Sequence, residues 1–160
     1  MMINFDEMPN DSRIWIYQSN RKFSRSEENE ISIKIQTFLK DWTAHGSNLF
    51  SSYCIRYNRF IVIALNETKN KATGCSIDAL VGLIQSLEKD YNIDLLDKMN
   101  VSFKQGDYIS YKSIVDFKNL IKDKSVSKNT IVFNNLVTDI SDFKNNWEIP
   151  AYKSWHSRLF

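Results

Sequence analysis

Glycine, proline, cysteine and histidine are all scarce in this chain, which has four, two, two and two of them in 160 residues. The glycines stand at 46, 74, 82 and 106, and none precedes a lysine. That excludes a Walker-type phosphate loop, in which clustered glycines turn backbone N–H groups around the phosphates and a following lysine reaches them. Cys54 and Cys75 form no CxxC pair, and with His45 and His156 they make no ligand spacing known for zinc, so a disulfide framework, a metal site and a resident cofactor are not expected. An excess of one charge is lacking as well. Lys+Arg 21 against Asp+Glu 19, well interspersed, leaves no field that would draw nucleic acid or an anionic membrane. No apolar run approaches the roughly 20 residues of a membrane helix. The start, Met1 to Glu7, has neither a basic lead nor a continuous apolar stretch, so a secretory signal is not expected. A cytoplasmic protein without membrane insertion is the expectation.

Apolar and aromatic residues are plentiful. With 42% hydrophobic and 13% aromatic residues the chain can bury a sizeable core, and its length favours a single domain over 1–160. Residues 1–11 are polar and read as an arm. Arg13 to Tyr17 alternates Ile14 and Ile16 with Trp15 and Tyr17, the pattern of a strand. Ser24 and Glu27 have capping-box spacing, and Ile31, Ile35, Phe38, Leu39 and Trp42 recur on one helical face, predicting a helix from Arg25 to Ala44 stopped by a left-handed Gly46. Two β-rich runs, 53–57 and 59–65, predict a tight hairpin. Ile77, Leu80, Val81, Ile84, Leu87 and Tyr91 predict a second helix, in which Gly82 is tolerated by close packing against another backbone. Val101–Phe103 reads as a strand. The order over residues 12–104 is therefore βαββαβ, that of a ferredoxin-like unit whose two helices cover one face of an antiparallel sheet. An α+β fold follows, with mostly antiparallel strands, and residues 105–160 add an α/β extension with a helix capped at Ser113.

Chemistry is concentrated where the second helix begins. In Gly74-Cys75-Ser76-Ile77-Asp78 a glycine permits close approach, a thiol sits near unpaired helix N–H groups, and Ser76 or Asp78 caps them or meets a ligand. Three uses compete: a structural helix start, a small-anion or nucleotide pocket, and a reactive Cys75 thiolate. Gly74, Cys75, Ser76 and Asp78, with His45 and Arg158, are the candidate ligand-binding set, and Cys75, His45 and Asp78 the candidate catalytic residues. No acid–base pair is legible, so the reading leans toward a binding domain for a small anionic ligand or a protein partner, without catalysis. A different class of function, RNA binding, would stack bases on Trp15, Tyr17 and Phe60 across the sheet.

Five stretches taken together carry a resemblance: Arg13–Tyr17, Trp42–Gly46, Gly74–Ala79, Asn134–Val137 and Ser154–Arg158. In these the chain resembles, over nearly its whole length, a small uncharacterised bacterial protein family whose members often bear the label "ABC transporter ATPase". The label implies a Walker A lysine, a Walker B acid and a signature loop. None of these stands in this sequence, so the resemblance implies no catalytic residue here.

Overall fold

The computed structural model describes residues 1–160. The chain divides into two compact units, Met1–Leu96 with Thr138–Ser141, and Asp97–Val137 with Asp142–Phe160. The boundary between core and extension, expected after residue 104, falls at Leu96.

The first unit holds β1 (Arg13–Gln18), α1 (Arg25–Lys40), β2 (Thr43–Ala44), β3 (Ser47–Asn48), β4 (Phe50–Arg56), β5 (Phe60–Asn66) and α2 (Gly74–Tyr91). Its main sheet is antiparallel in the order β1-β5-β4, and β2 and β3 form a separate two-stranded ribbon. The apolar stripes account for the packing. Ile31, Ile35 and Leu39 of α1, Leu80, Ile84 and Leu87 of α2, and Ile61, Ile63 and Leu65 of β5 meet in one cluster, each 0% exposed. The predicted capping box is present: Ser24 Oγ accepts from Glu27 N–H, and the Glu27 carboxylate accepts from Ser24 N–H. Arg21 grips the same carboxylate with two bonds of 2.8 Å and also donates to the Tyr91 carbonyl at the end of α2. The bonds from Arg21 first, and that from Ser24 second, hold the Glu27 carboxyl down to about 2.

Three sequence expectations are corrected here. α1 stops at Lys40 rather than Ala44, because Trp42 to Asn48 turns back as the β2–β3 ribbon. His45 and Gly46 both have positive φ, 51° and 78°, the pair of left-handed residues that a tight hairpin turn demands. Gly46 thus turns a hairpin instead of capping a helix. Second, the βαββαβ order is kept but its sheet has three strands, not four. The free edge of β1, where a fourth ferredoxin strand would lie, is bridged by a short returning segment: Ile14 N–H donates to Thr138 C=O and Ile140 N–H to Ser12 C=O. Third, the polar arm is ordered. Ile3 N–H donates to Ser51 C=O, and Phe5 and Met8 are buried.

Gly82 differs from expectation too. It lies exposed inside α2, and a Cβ placed on it would meet nothing within 4 Å. With no close backbone to spare, its only effect is the entropy a glycine loses in a helix. Gly82→Ala is expected to stabilise the protein by about 1 kcal/mol, read as a higher midpoint of denaturant unfolding; a lower midpoint would contradict the open environment of this residue.

The second unit contains β6 (Asn100–Gln105), β7 (Tyr108–Ser113), α3 (Ile114–Lys122), β8 (Ile131–Phe133), the greater part of α4 (Ile140–Asn146) and β9 (Glu148–Pro150), followed by 3-10 turns at Ala151–Lys153 and Trp155–Leu159. Its antiparallel sheet runs β7-β6-β8-β9. β6 is drawn into this sheet by its neighbour in sequence, since Gly106 takes a left-handed turn that folds β7 straight back on it. Ser113 caps α3 as expected, accepting from Asp116 N–H. Phe117 centres the core, edge-on to Phe103, His156 and Phe160. No helix of the chain is long and apolar enough to cross a membrane.

Candidate functional site

α2 begins in a second capping box. Thr73 is its N-cap: Thr73 Oγ1 accepts from Ser76 N–H at 3.1 Å, and Ser76 Oγ accepts from Thr73 N–H at 2.7 Å. Ser76 is therefore the buried third residue of the box rather than the cap itself, and its hydroxyl is committed to Thr73. Ile77 N–H closes the first helical bond on Thr73 C=O. The N–H groups of Gly74 and Cys75 are left without an intrahelical acceptor. Gly74 is not conformationally required, since its φ is not positive and a Cβ would meet nothing within 4 Å.

The β2–β3 ribbon is pinned to this helix start. Trp42, 3% exposed, donates its indole N–H to the Ser76 carbonyl at 2.9 Å and packs against Phe38 and Trp15 with ring centroids 5.6 and 6.0 Å away. Between the end of α1, the ribbon and the start of α2 lies a cleft of about 510 Å³. α1 and its C-cap contribute Thr37, Phe38 and Asp41, the ribbon Trp42, Thr43 and His45, and α2 Thr73, Cys75, Ser76 and Ala79. The α2 side of the cleft carries the positive N-terminal end of that helix. The Asp41 carboxylate stands just past the end of α1, where the Met1 ammonium donates to the Leu39 carbonyl at 3.2 Å and interacts with Asp41.

Of the six ligand-binding candidates, His45, Cys75 and Ser76 line this cleft, although 30 residues separate His45 from Cys75. Gly74 and Asp78 are exposed on the same turn and do not line it, and Arg158 is exposed in the last turn of the second unit. His45 and Cys75 line the same cleft and share no hydrogen bond. The sequence reading missed Asp41, Trp42, Thr43 and Thr73. Thr73 carried a signal, because Thr-x-x-Ser three residues before an apolar stripe imitates a capping box; Trp42 carried none, since it matched the α1 stripe. No cluster of side chains in the chain could hold a metal ion.

The stacking surface proposed for RNA is not assembled. Strand residues alternate faces, and register sets Trp15 opposite Ile63 and Tyr17 opposite Ile61, toward the helices, whereas Phe60 pairs with Gln18 on the other face. Tyr17 is 8% exposed and Phe60 0%. Arg13 covers the Trp15 ring at 4.6 Å.

The cysteines differ in accessibility. Both are free; Cys75 is exposed, while burial pushes the half-buried Cys54 thiol up to about 11. At neutral pH iodoacetamide is expected to label Cys75 first, with Cys54 slower than a free cysteine by on the order of 10² from its smaller thiolate fraction. Site-resolved mass spectrometry measures both, and equal rates would refute the difference. Comparison of the chain with protein-family models, with curated proteins and with solved structures finds no match in any of the three.

Proposed function

We propose that the protein is a non-catalytic binding domain whose cleft takes a small ligand with an anionic group, a carboxylate or phosphate, seated on the N–H of Cys75 beside His45 and reaching past the cleft lining to the N–H of Gly74 on the same turn. A cationic or hydrogen-bond-donating group of the same ligand faces Asp41. The observation that carries this reading is the convergence of Cys75 with its unpaired helix N–H, His45 and Asp41 on one cleft from three separate elements. The absence of a bond between Cys75 and His45 favours binding over thiol catalysis. Two free cysteines suit a reducing compartment, and we place the protein in the cytoplasm.

Thermal-shift and NMR titrations with inorganic phosphate, nucleotides, phosphorylated metabolites and free amino acids test the proposal. Gly74→Pro is the informative variant. Proline is tolerated at the first position of a helix, Thr73 before it is already extended, the ring removes one N–H, and a Cβ at this position meets nothing within 4 Å. Affinity for the anionic group is expected to fall about tenfold, as for loss of one charge-assisted hydrogen bond, with stability retained. Asp41→Asn is expected to weaken amino acids and leave phosphate unchanged. A panel that yields no binder, or a binder indifferent to Gly74→Pro and to His45→Ala, would end this reading.

A further inference from the structure

A second cavity in the first unit lies apart from this cleft and shares no residue with it. It opens on the outer edge of β4, which the N-terminal residues cover along part of its length. Ser51 N–H donates to Met1 C=O at 3.0 Å, and Ile3 N–H donates to Ser51 C=O at 2.9 Å, as in a parallel strand pair. Since both main-chain groups of Ser51 point outward, the alternation of an antiparallel ladder assigns Ser52, Cys54 and Arg56 to bonds with β5 and turns the N–H and C=O groups of Tyr53 and Ile55 outward. The N-terminal segment does not follow them. Asn4 accepts from Asp6 N–H and caps the 3-10 turn Phe5–Glu7, which carries the chain off the edge. The outward groups of Tyr53 and Ile55 have no partner in the chain.

A groove of about 400 Å³ lies over this uncovered stretch. β4 contributes Tyr53, Cys54 and Ile55, all half-buried; Phe5 stands at the N-terminal segment, and Glu28 and Gln36 at α1. Gln36 is held in place by its bond to the Tyr53 hydroxyl at 2.7 Å, and Asn58 donates to Glu28 at 2.6 Å. Glu28 is the one acidic or basic side chain among the lining residues. Main-chain donors and acceptors that end in a groove call for a main chain to pair with them. The adjoining pairing of Met1–Ile3 with Ser51 demonstrates the geometry by which an extended segment joins this edge.

We propose that the groove is a strand-addition site for an extended segment of a partner protein, continuing the edge at Tyr53 and Ile55 and presenting a basic side chain to Glu28. Main-chain pairing supplies the binding, and Glu28 supplies the preference. The assignment is tested on the full chain by NMR titration with a blocked hexapeptide, acetyl-Thr-Val-Lys-Val-Thr-Val-amide. Two companions accompany it, one with glutamate for lysine and one N-methylated at every residue, so that neither edge of the extended peptide keeps a main-chain donor. The lysine peptide is expected to shift the Tyr53 and Ile55 amide signals saturably and to slow their hydrogen exchange. The glutamate peptide should bind about threefold to fivefold more weakly, the scale of one exposed ion pair, and Glu28→Gln, which keeps the acceptor for Asn58, should erase that difference. The N-methylated peptide should not bind, and Ile55→Pro, which removes the outward N–H together with a half-buried side chain packed on the core, should abolish binding of the parent while circular dichroism shows the fold retained. Three results would each overturn the proposal: no shift at Tyr53 and Ile55 at millimolar peptide, equal binding of the N-methylated peptide, or no preference for lysine. Sedimentation of the free protein supplies a fourth, since a concentration-dependent dimer abolished by Ile55→Pro would assign the edge to a second copy of this chain.

Discussion

Trp42→Ala is expected to cost about 3–5 kcal/mol, the range for emptying a large aromatic site in a packed core. Trp42 is 3% exposed and joins three elements: it packs on Phe38 of α1 and Trp15 of β1, and bonds the carbonyl of Ser76 in α2. Against a total stability of roughly 5–15 kcal/mol for a folded domain, such a loss leaves little margin. Trp42→Phe separates the two contributions. It keeps most of the ring contact and removes the indole N–H bond, so about 1–2 kcal/mol is expected, the net value of one buried hydrogen bond with some lost packing. Because the ribbon carrying Thr43 and His45 is tied to α2 through that bond, Trp42→Phe should also weaken ligand binding in the cleft. Urea unfolding followed by circular dichroism gives both values. A loss below about 1 kcal/mol for the alanine variant would mean that the ribbon is held by something other than Trp42.

Mild acid should destabilise the second unit through His156. The ring is 1% exposed, stacks on Trp155 with centroids 3.9 Å apart, stands edge-on to Phe117, and has Nδ1 2.7 Å from the Ser154 hydroxyl. Burial without an acidic partner lowers its pKa to about 4 from an ordinary 6.5. Between these values the unfolded chain binds the proton and the folded protein resists it. The stability contributed by the neutral ring is therefore complete above about pH 6.5 and is lost progressively as the pH falls toward 4, on the order of 3 kcal/mol in all. Glu27 acts in a separate window, because a carboxyl held near 2 loses its contribution only below about pH 4.3. Unfolding free energies measured from pH 7.5 to 4.5 for the wild type and His156→Gln should converge as the pH falls. Parallel curves would show that His156 titrates normally in the folded protein.

The helices and the β4–β5 hairpin, unlike the β2–β3 hairpin, were legible because their determinants are local. Ser24 and Glu27 are three residues apart, and the Ile31, Ile35 and Leu39 stripe lies within one helix. The hairpin of β4 and β5 turns at Tyr57 and Asn58, between runs whose β-branched and aromatic content already marks them as strands. Ser113 announced α3 in the same way. Half of the candidate site was legible for a similar reason, since a polar helix start after a loop is a local pattern that exposes N–H groups in any fold. The proximity of His45 to Cys75 depended on where the β2–β3 ribbon lies, and the sequence could offer it only as one arrangement among several.

What the sequence by itself determined is the four helices and the longer strands, their order, and the α+β class, because these follow from side-chain periodicity and capping over a few residues. Only the tertiary structure decided which sheet β6 joins. The strand pattern of Val101–Phe103 is equally suited to the edge of β1 and to pairing with β7 and β8, and the choice rests on competition between distant edges that periodicity does not encode. The tertiary structure likewise decided that Trp42 ends α1 by bonding to Ser76, that Trp15 and Phe60 face opposite ways, and that Tyr53 and Ile55 keep an open edge. Each is a property of register and of partners far away in sequence, where one residue of offset exchanges the two faces of a strand.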